Sequence, residues 1–287
     1  MDKSKNILIT GASTGIGYDL AKEFVKNGYT VYGSVRKKED AKRLENDLGK
    51  NFKPLIFDVT DHTSVDNAAE ALTNEIGEVG LGGLINNAGV AVGGPLMDVA
   101  IEDYRYQFEV NVIGLVKVTQ AFLPLLGARH NHHSVPGKIM QISSVAGKTA
   151  MPFLSPYIGS KHAVEGISTS LRRELQLFGI DVIVIGPGPI KTPIWNKGLD
   201  NNDQTKYQNS PFLPSLDIFQ NVFVKEAVKK GWTSEKASCI IFNIFEKNNP
   251  KSRYALVPQR FKNWTLMKII PPRLLDRLVG KKLGILK

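Results

Sequence analysis

The sequence predicts an α/β fold, a doubly wound and mostly parallel sheet with helices on both faces. Three observations carry that prediction. Short apolar runs alternate with amphipathic stretches all the way from Asn6 to Ile185. The apolar runs lack the in–out alternation of a half-exposed strand, as strands covered on both faces do. No internal repeat or low-complexity linker interrupts the pattern, so residues 1–287 read as a single domain with an appended segment after about Pro193.

The first strand is Asn6–Thr10 (NILIT), followed by a glycine-rich turn. Tyr18–Asn27 has helical spacing, with Leu20, Ala21, Phe24 and Val25 on one face and Gly28 as its stop. Strands then follow at Tyr29–Val35, Phe52–Phe57, Gly83–Asn86, Lys138–Ile142 and Asp181–Ile185. Helices are expected at Ala41–Leu48, His62–Ile76, Glu102–Leu126 and Ser155–Phe178, with Asp98, Glu102 and Asp103 marking the start of the third. Residues 193–250 are expected to form a substrate lid with helices at Phe212–Lys230 and Ser234–Lys247. Residues 253–287 are a basic, partly apolar tail whose YALVP stretch suits a last strand.

Composition narrows the function classes. The single cysteine, Cys239, cannot form an internal disulfide, and the N-terminus enters a strand without a leader-like apolar region. No run of roughly 18 apolar residues stands out, so no spanning helix is expected and the localisation expected is cytoplasmic. The net charge is +10, but residues 251–287 carry +9 of it. A nearly neutral body argues against a nucleic-acid groove. His130, His132 and His133 lie in a polar loop and are read as exposed, so no metal site is expected. Glu165, Arg172, Arg173 and Glu174 are read as solvated or subunit-facing helix surface.

Two motifs carry chemistry. Gly11, Ser13, Thr14, Gly15, Ile16 and Gly17 lie between a strand and a helix, the context in which glycines let a backbone approach a dinucleotide pyrophosphate. Tyr157 and Lys161 stand at i and i+4 of a helix and share a face, with Ser144 thirteen residues upstream of the tyrosine. An ammonium beside a phenol can lower its pKa from about 10 and make it a proton donor near neutral pH.

TGASTGIG (Thr10–Gly17), NNAG (Asn86–Gly89), Asn111, Ser144, Tyr157-x-x-x-Lys161 and PGPIKT (Pro187–Thr192) together resemble the short-chain dehydrogenases/reductases over roughly residues 5–192. YIGSKHAVEGISTSLRRELQLFGIDV resembles the branch with retinol and 17β-hydroxysteroid dehydrogenases. The resemblance implies a Rossmann-type, three-layer α/β/α fold with strand order 3-2-1-4-5-6-7. It implies Tyr157 as general acid/base, Lys161 as its pKa-lowering partner and ribose ligand, and Ser144 as holder of the substrate oxygen. Asn111 would kink the long helix and hold a water that links Lys161 to solvent. Asn87, Ala88 and Gly89 would support the sheet and the adenosine ribose region, with Asp58 and Val59 at the adenine. Pro187, Gly188, Ile190 and Thr192 would shape the nicotinamide site.

The second strand ends in Ser34 and Arg36 with no carboxylate, which suits the 2′-phosphate of NADP(H) better than the ribose of NAD(H). Val90, Val92, Met151, Pro152, Phe153, Leu154, Ile194 and Trp195 are candidate pocket walls, mostly apolar, and suit a lipophilic steroid-, retinoid- or fatty-type substrate. The function expected is NADP(H)-dependent interconversion of an alcohol and its carbonyl. The alternatives are the NAD-dependent version, an isomerase or dehydratase on the same fold, and a non-catalytic nucleotide-binding protein. The tail suits peripheral contact with anionic lipid, a subunit interface or the active-site mouth. The family resemblance implies a homodimer or homotetramer.

Overall fold

The computed structural model describes residues 4–129, 135–194, 206–258 and 269–286. The strands in chain order are β1 (Asn6–Ile9), β2 (Thr30–Val35), β3 (Phe52–Ile56), β4 (Gly83–Asn86), β5 (Lys138–Ile142) and β6 (Asp181–Pro187). Two two-residue strands, β7 (Ile190–Lys191) and β8 (Trp232–Thr233), pair with each other, and β9 (Arg253–Leu256) returns to the main sheet. That sheet runs β3-β2-β1-β4-β5-β6-β9 with every pairing parallel, the order the resemblance implied. The winding direction reverses between β1 and β4, which opens a crevice at their C-terminal ends.

Helices α1 (Gly15–Lys26) and α2 (Lys38–Leu48) cover one face. On the other lie α3 (His62–Ile76), α4 (Ile101–Phe108), α5 (Leu115–Phe122) and α6 (Ser155–Glu174). Between α4 and α5 the chain makes a π turn, Glu109–Gly114, so the long helix is interrupted at Asn111. The run Ile101–Leu126 holds a stretch long and apolar enough, by length and average composition, to cross a membrane, although charged residues interrupt the run. More than half of its most apolar stretch is buried in this fold, where Val118, Phe122, Leu125 and Leu126 pack against the sheet.

Beyond β6 the segment expected to be a lid divides in two. Helices α7 (Leu213–Ile218) and α8 (Lys225–Lys230), joined by a second π turn at Phe219–Val224, pack through Leu216 and Phe219 on Phe153 and Leu154. Helix α9 (Ser234–Phe245) is not lid at all. Its Ile241, Phe242, Ile244 and Phe245 complete the core under α1, where Phe24 meets Phe242 and Phe245 edge-on with ring centroids 5.0 and 5.1 Å apart. An apolar helical face says that a surface is covered without saying which one. Helix α10 (Pro272–Lys282) leads to Leu283, which is fully buried among Phe153, Tyr207, Leu216 and Phe219.

Candidate active site

The glycine turn is built from the backbone up. Gly11 has φ +67°, and a Cβ there would come within 2.9 Å of Ala88 Cα. At Gly17 a Cβ would lie 2.2 Å from Gly11 O and 2.5 Å from Asn87 Nδ2. Only glycine fits either place. The NNAG loop after β4 fastens this turn: Asn87 Nδ2 donates to Thr10 O and Gly11 O at 2.9 and 3.2 Å. Thr10 Oγ1 accepts from the N–H groups of Asn87 and Ala88 at 2.9 Å each. Thr14 precedes α1 without a side-chain cap, so the free N–H groups of the first turn face the crevice mouth. This shallow cradle of glycine backbone, backed by uncapped donors, fits a dinucleotide pyrophosphate. Thr192 approaches from β7: a Cβ on Gly15 would lie 3.2 Å from its Cγ2.

At the end of β2 the placement differs from the sequence reading. Ser34 is buried, and its hydroxyl accepts from Gly11 N at 3.0 Å while its carbonyl accepts from Ala12 N at 2.9 Å. It braces the turn from beneath. The exposed cation is Arg36, 3.6 Å from Asp58, whose other oxygen caps Thr60. Val59 is buried against Gly114 of the π turn. Arg43 of α2, not anticipated, donates to Ser13 O at 2.7 Å.

Ser144, Tyr157 and Lys161 converge beyond β5. Ser144 leaves the strand in extended conformation and caps a short 3-10 turn, accepting from Ala146 N at 3.1 Å and donating to Pro187 O at 3.4 Å. The Tyr157 hydroxyl is hydrogen-bonded to Ser144; burial pushes the phenol's pKa up, and the Ser144 bond opposes that. Lys161 Nζ donates to Ile142 O at 2.9 Å and lies 5.8 Å from the Tyr157 ring centre. Burial lowers its pKa to about 8, with Glu165 acting in the opposite sense. The net direction for the phenol is thus upward from burial, with Ser144 as the opposing group, where the sequence led to an expected lowering by Lys161.

Asn111 is tied into the loop after β4. Its Oδ1 accepts from Val90 N at 2.9 Å, and its Nδ2 donates to Val90 O at 3.0 Å and Ser160 Oγ at 3.1 Å. Gln107, one turn earlier, donates to Val90 O and accepts from Val92 N. Ser160 in turn donates to Tyr157 O at 2.7 Å. The Asn111 side-chain amide thus anchors Val90 and, through Ser160, the base of the tyrosine. Gln107 and Ser160 were missed, although Gln107 sits at i−4 of Asn111 on one helix.

Of the proposed walls, Phe153 and Leu154 are buried in the apolar cluster that seats α7, with Met151 packed on it. Phe153, at φ 66°, meets Phe212 and Phe219 at 5.8 and 5.7 Å, and its carbonyl accepts from Gly94 N at 2.8 Å. Pro152 and Ile194 are half-buried, Val90 packs on the α4–α6 side of the core, and Gly188 N bonds Leu256 O of β9. Ile190 is buried on β7. Trp195 and the three histidines 130, 132 and 133 lie outside the described residues. Glu165, read as surface, is 3% exposed and paired to Arg253 of β9.

Residues 5–203 match the family described as short chain dehydrogenase. The chain belongs to the short-chain dehydrogenase family. A relative from Ornithobacterium rhinotracheale, named as an NADPH-dependent 3-dehydrocapnine reductase, is 42% identical over 96% of both chains. The cattle protein named dehydrogenase/reductase SDR family member 9 is 33% identical over 97% of this chain and 88% of its own. Among solved structures, a short-chain dehydrogenase from Streptomyces avermitilis superposes with TM-score 0.75 at 24% identity over 98% of each chain, a likeness of fold. The closed form of a serine dehydrogenase complexed with NADP+ has TM-score 0.73 at 25% identity, over 88% of this chain and 94% of that one. This short-chain dehydrogenase is accordingly an oxidoreductase of a family that acts on small molecules.

Proposed function

We propose that the protein is an NADPH-dependent reductase of the carbonyl of a lipophilic molecule, reversibly giving the alcohol. The observation that carries the reading is the convergence of buried Ser144, Tyr157 and Lys161 beside a tightly packed glycine turn that opens a helix. The NADPH-dependent relative and the exposed Arg36, followed by Lys37 and Lys38, support NADP(H) as cofactor. Gly11 to Gly17 would hold its pyrophosphate, Arg36 its 2′-phosphate, Lys161 its nicotinamide ribose and Thr192 its amide.

When bound, NADPH supplies the hydride; the remaining work falls to side chains. Ser144 Oγ turns from its long bond with Pro187 O to hold the substrate oxygen. Tyr157, already bonded to Ser144, gives its hydroxyl proton to that same oxygen as negative charge develops. Lys161 spends one of its three N–H donors on Ile142 O, leaving two for the ribose and the phenol side. Its proton is held below about pH 8 and lost above it, so the reductive rate is expected to fall as pH rises through about 8.

The apolar cluster of Phe153, Leu154, Leu216, Phe219 and Leu283 supports a lipophilic substrate. Exposed Leu274 and Leu278, beside Arg273 and Arg277 on α10, support contact of a cytoplasmic enzyme with an anionic membrane surface. Exposed Tyr106, Ile113 and Leu177 support a homodimer or homotetramer packed through the long helices. NAD remains as a second reading because Asp58 offsets the Arg36 charge; initial rates with each cofactor separate the two. Tyr157→Phe is the test of mechanism. Loss of ketone-dependent NADPH oxidation by about 100-fold or more, with NADPH binding retained, is the expected result, and an active variant would overturn it.

A further inference from the structure

The strongest polar feature outside the site is an ion pair that joins the last strand to it. Arg253 Nε donates to both oxygens of Glu165 at 3.0 and 2.8 Å, and Arg253 Nη2 donates to Ser144 O at 3.2 Å. The Glu165 side chain is 4% exposed and that of Arg253 20%. Space for both is reserved by glycines. A Cβ on Gly147 would lie 2.9 Å from Glu165 Cγ, and one on Gly186 2.6 Å from Arg253 Nη2. Glu165 is also one turn beyond Lys161, on the same face of α6.

We infer that Glu165 and Arg253 are positioning residues: Arg253 fixes the backbone carbonyl of Ser144, and the balance of charge between the two sets the field at Lys161. The inference rests on the reductase reading for its catalytic meaning, though not for its geometry. Ser144 O has two donors, Gly147 N at 3.1 Å from its own turn and Arg253 from a strand 109 residues away. The second pins the serine in space, and a serine that must hold an oxygen to within tenths of an ångström needs such an anchor. The Glu165 carboxylate favours the charged ammonium of Lys161 against the burial that disfavours it.

Other groups among the described residues also face this pair. Lys148, from the turn after β5, lies 3.7 Å from Glu165 Oε2 and is 43% exposed. The π turn and α4 contribute the neutral amides of Asn111 and Gln107, reaching Ser160, and the Tyr104 phenol, bonded to Ser155 at the start of α6. Tyr157 itself completes the set. Among the described residues Glu165 is the anion that acts on Lys161, and Arg253 is its nearest counter-charge.

Charge and anchoring separate by substitution. Glu165→Gln keeps a partner for Arg253 but removes the anion, so Lys161 should titrate lower than its wild-type value near 8, by about one pH unit. Arg253→Gln leaves the anion unneutralised and should move it upward. Arg253→Lys keeps the charge but loses the fork to Ser144, so it should lower kcat about tenfold with little movement of the titration. The direct measurement is NMR titration of Lys161 in cofactor-free protein carrying 13C-labelled lysine, assigned by loss of the signal in Lys161→Met. Opposite movements in Glu165→Gln and Arg253→Gln, with the kcat loss in Arg253→Lys, support the inference. Unmoved or like-signed titrations, or a fully active Arg253→Lys enzyme, overturn it. Should Arg253→Gln not fold, the exposed Lys148→Gln provides the same upward sign at smaller size, and no movement there together with none in Glu165→Gln overturns it equally. Absence of NADPH oxidation by the wild type with every ketone tried would defeat the reductase reading, while the Lys161 titration would still decide whether the pair sets the field.

Discussion

The two halves of the crevice are held by different forces. On the cofactor side, Thr10, Ser34, Asn87, Gln107 and Asn111 each spend their side-chain groups on named backbone N–H or C=O groups of the turn after β1 or the loop after β4. On the substrate side, Phe153, Leu154, Tyr207, Leu216, Phe219 and Leu283 hold one another by apolar contact, with Tyr207 OH to Gly93 O at 3.2 Å among its few hydrogen bonds. Directional bonds fix positions to fractions of an ångström, whereas apolar contacts tolerate rearrangement of shape at similar area. On the function proposed above, the first wall suits an invariant ligand and the second a variable one.

The largest effect should come from the cofactor wall. Gly17→Ala forces a Cβ onto Gly11 O and Asn87 Nδ2, both fixed by bonds. NADPH affinity, followed by its fluorescence on binding, is expected to fall by more than tenfold, and a normal affinity would contradict the rigidity claimed for that wall. Next is Thr10→Val, which keeps the volume but orphans two partly buried N–H groups at Asn87 and Ala88. Denaturant unfolding should show a loss of about 2–4 kcal/mol; a loss below 1 kcal/mol would mean the loop does not depend on that hydroxyl. Phe219→Ala, on the other wall, should change KM for bulky ketones several-fold while leaving NADPH affinity intact, because the neighbouring aromatic rings can close on the space. Equal effects on both ligands would erase the distinction. The smallest is the fall in reductive rate through about pH 8, read from initial rates at saturating cofactor.

What was legible in the sequence divides along the same line. The glycine turn, NNAG and the Tyr157–Lys161 spacing are local patterns, legible within a few residues, and the sheet order came with the family resemblance that those patterns carry. Contacts made across the fold are not written that way. Glu165 reads as one more polar residue on a helix because its partner, Arg253, lies 88 residues away. Helix α9 shows an apolar face but nothing in its spacing says that Phe24 and Tyr29, rather than a substrate, will cover it. Ser34 was placed at the right strand end with the wrong neighbour, since a one-residue change of face decides whether a side chain meets ligand or turn. Arg43 carries no signal short of the structure itself, and Gln107 only its place one turn before Asn111.

The division between a directional cofactor wall and an apolar substrate wall is tested most directly by one series of rates. NADPH oxidation should be measured with straight-chain ketones of increasing length, each at concentrations well below saturation. If the substrate wall works by burying hydrocarbon, kcat/KM should climb by up to about fourfold per added methylene until the wall is filled, while the KM for NADPH stays constant. A kcat/KM that is flat or falls with chain length would contradict the account.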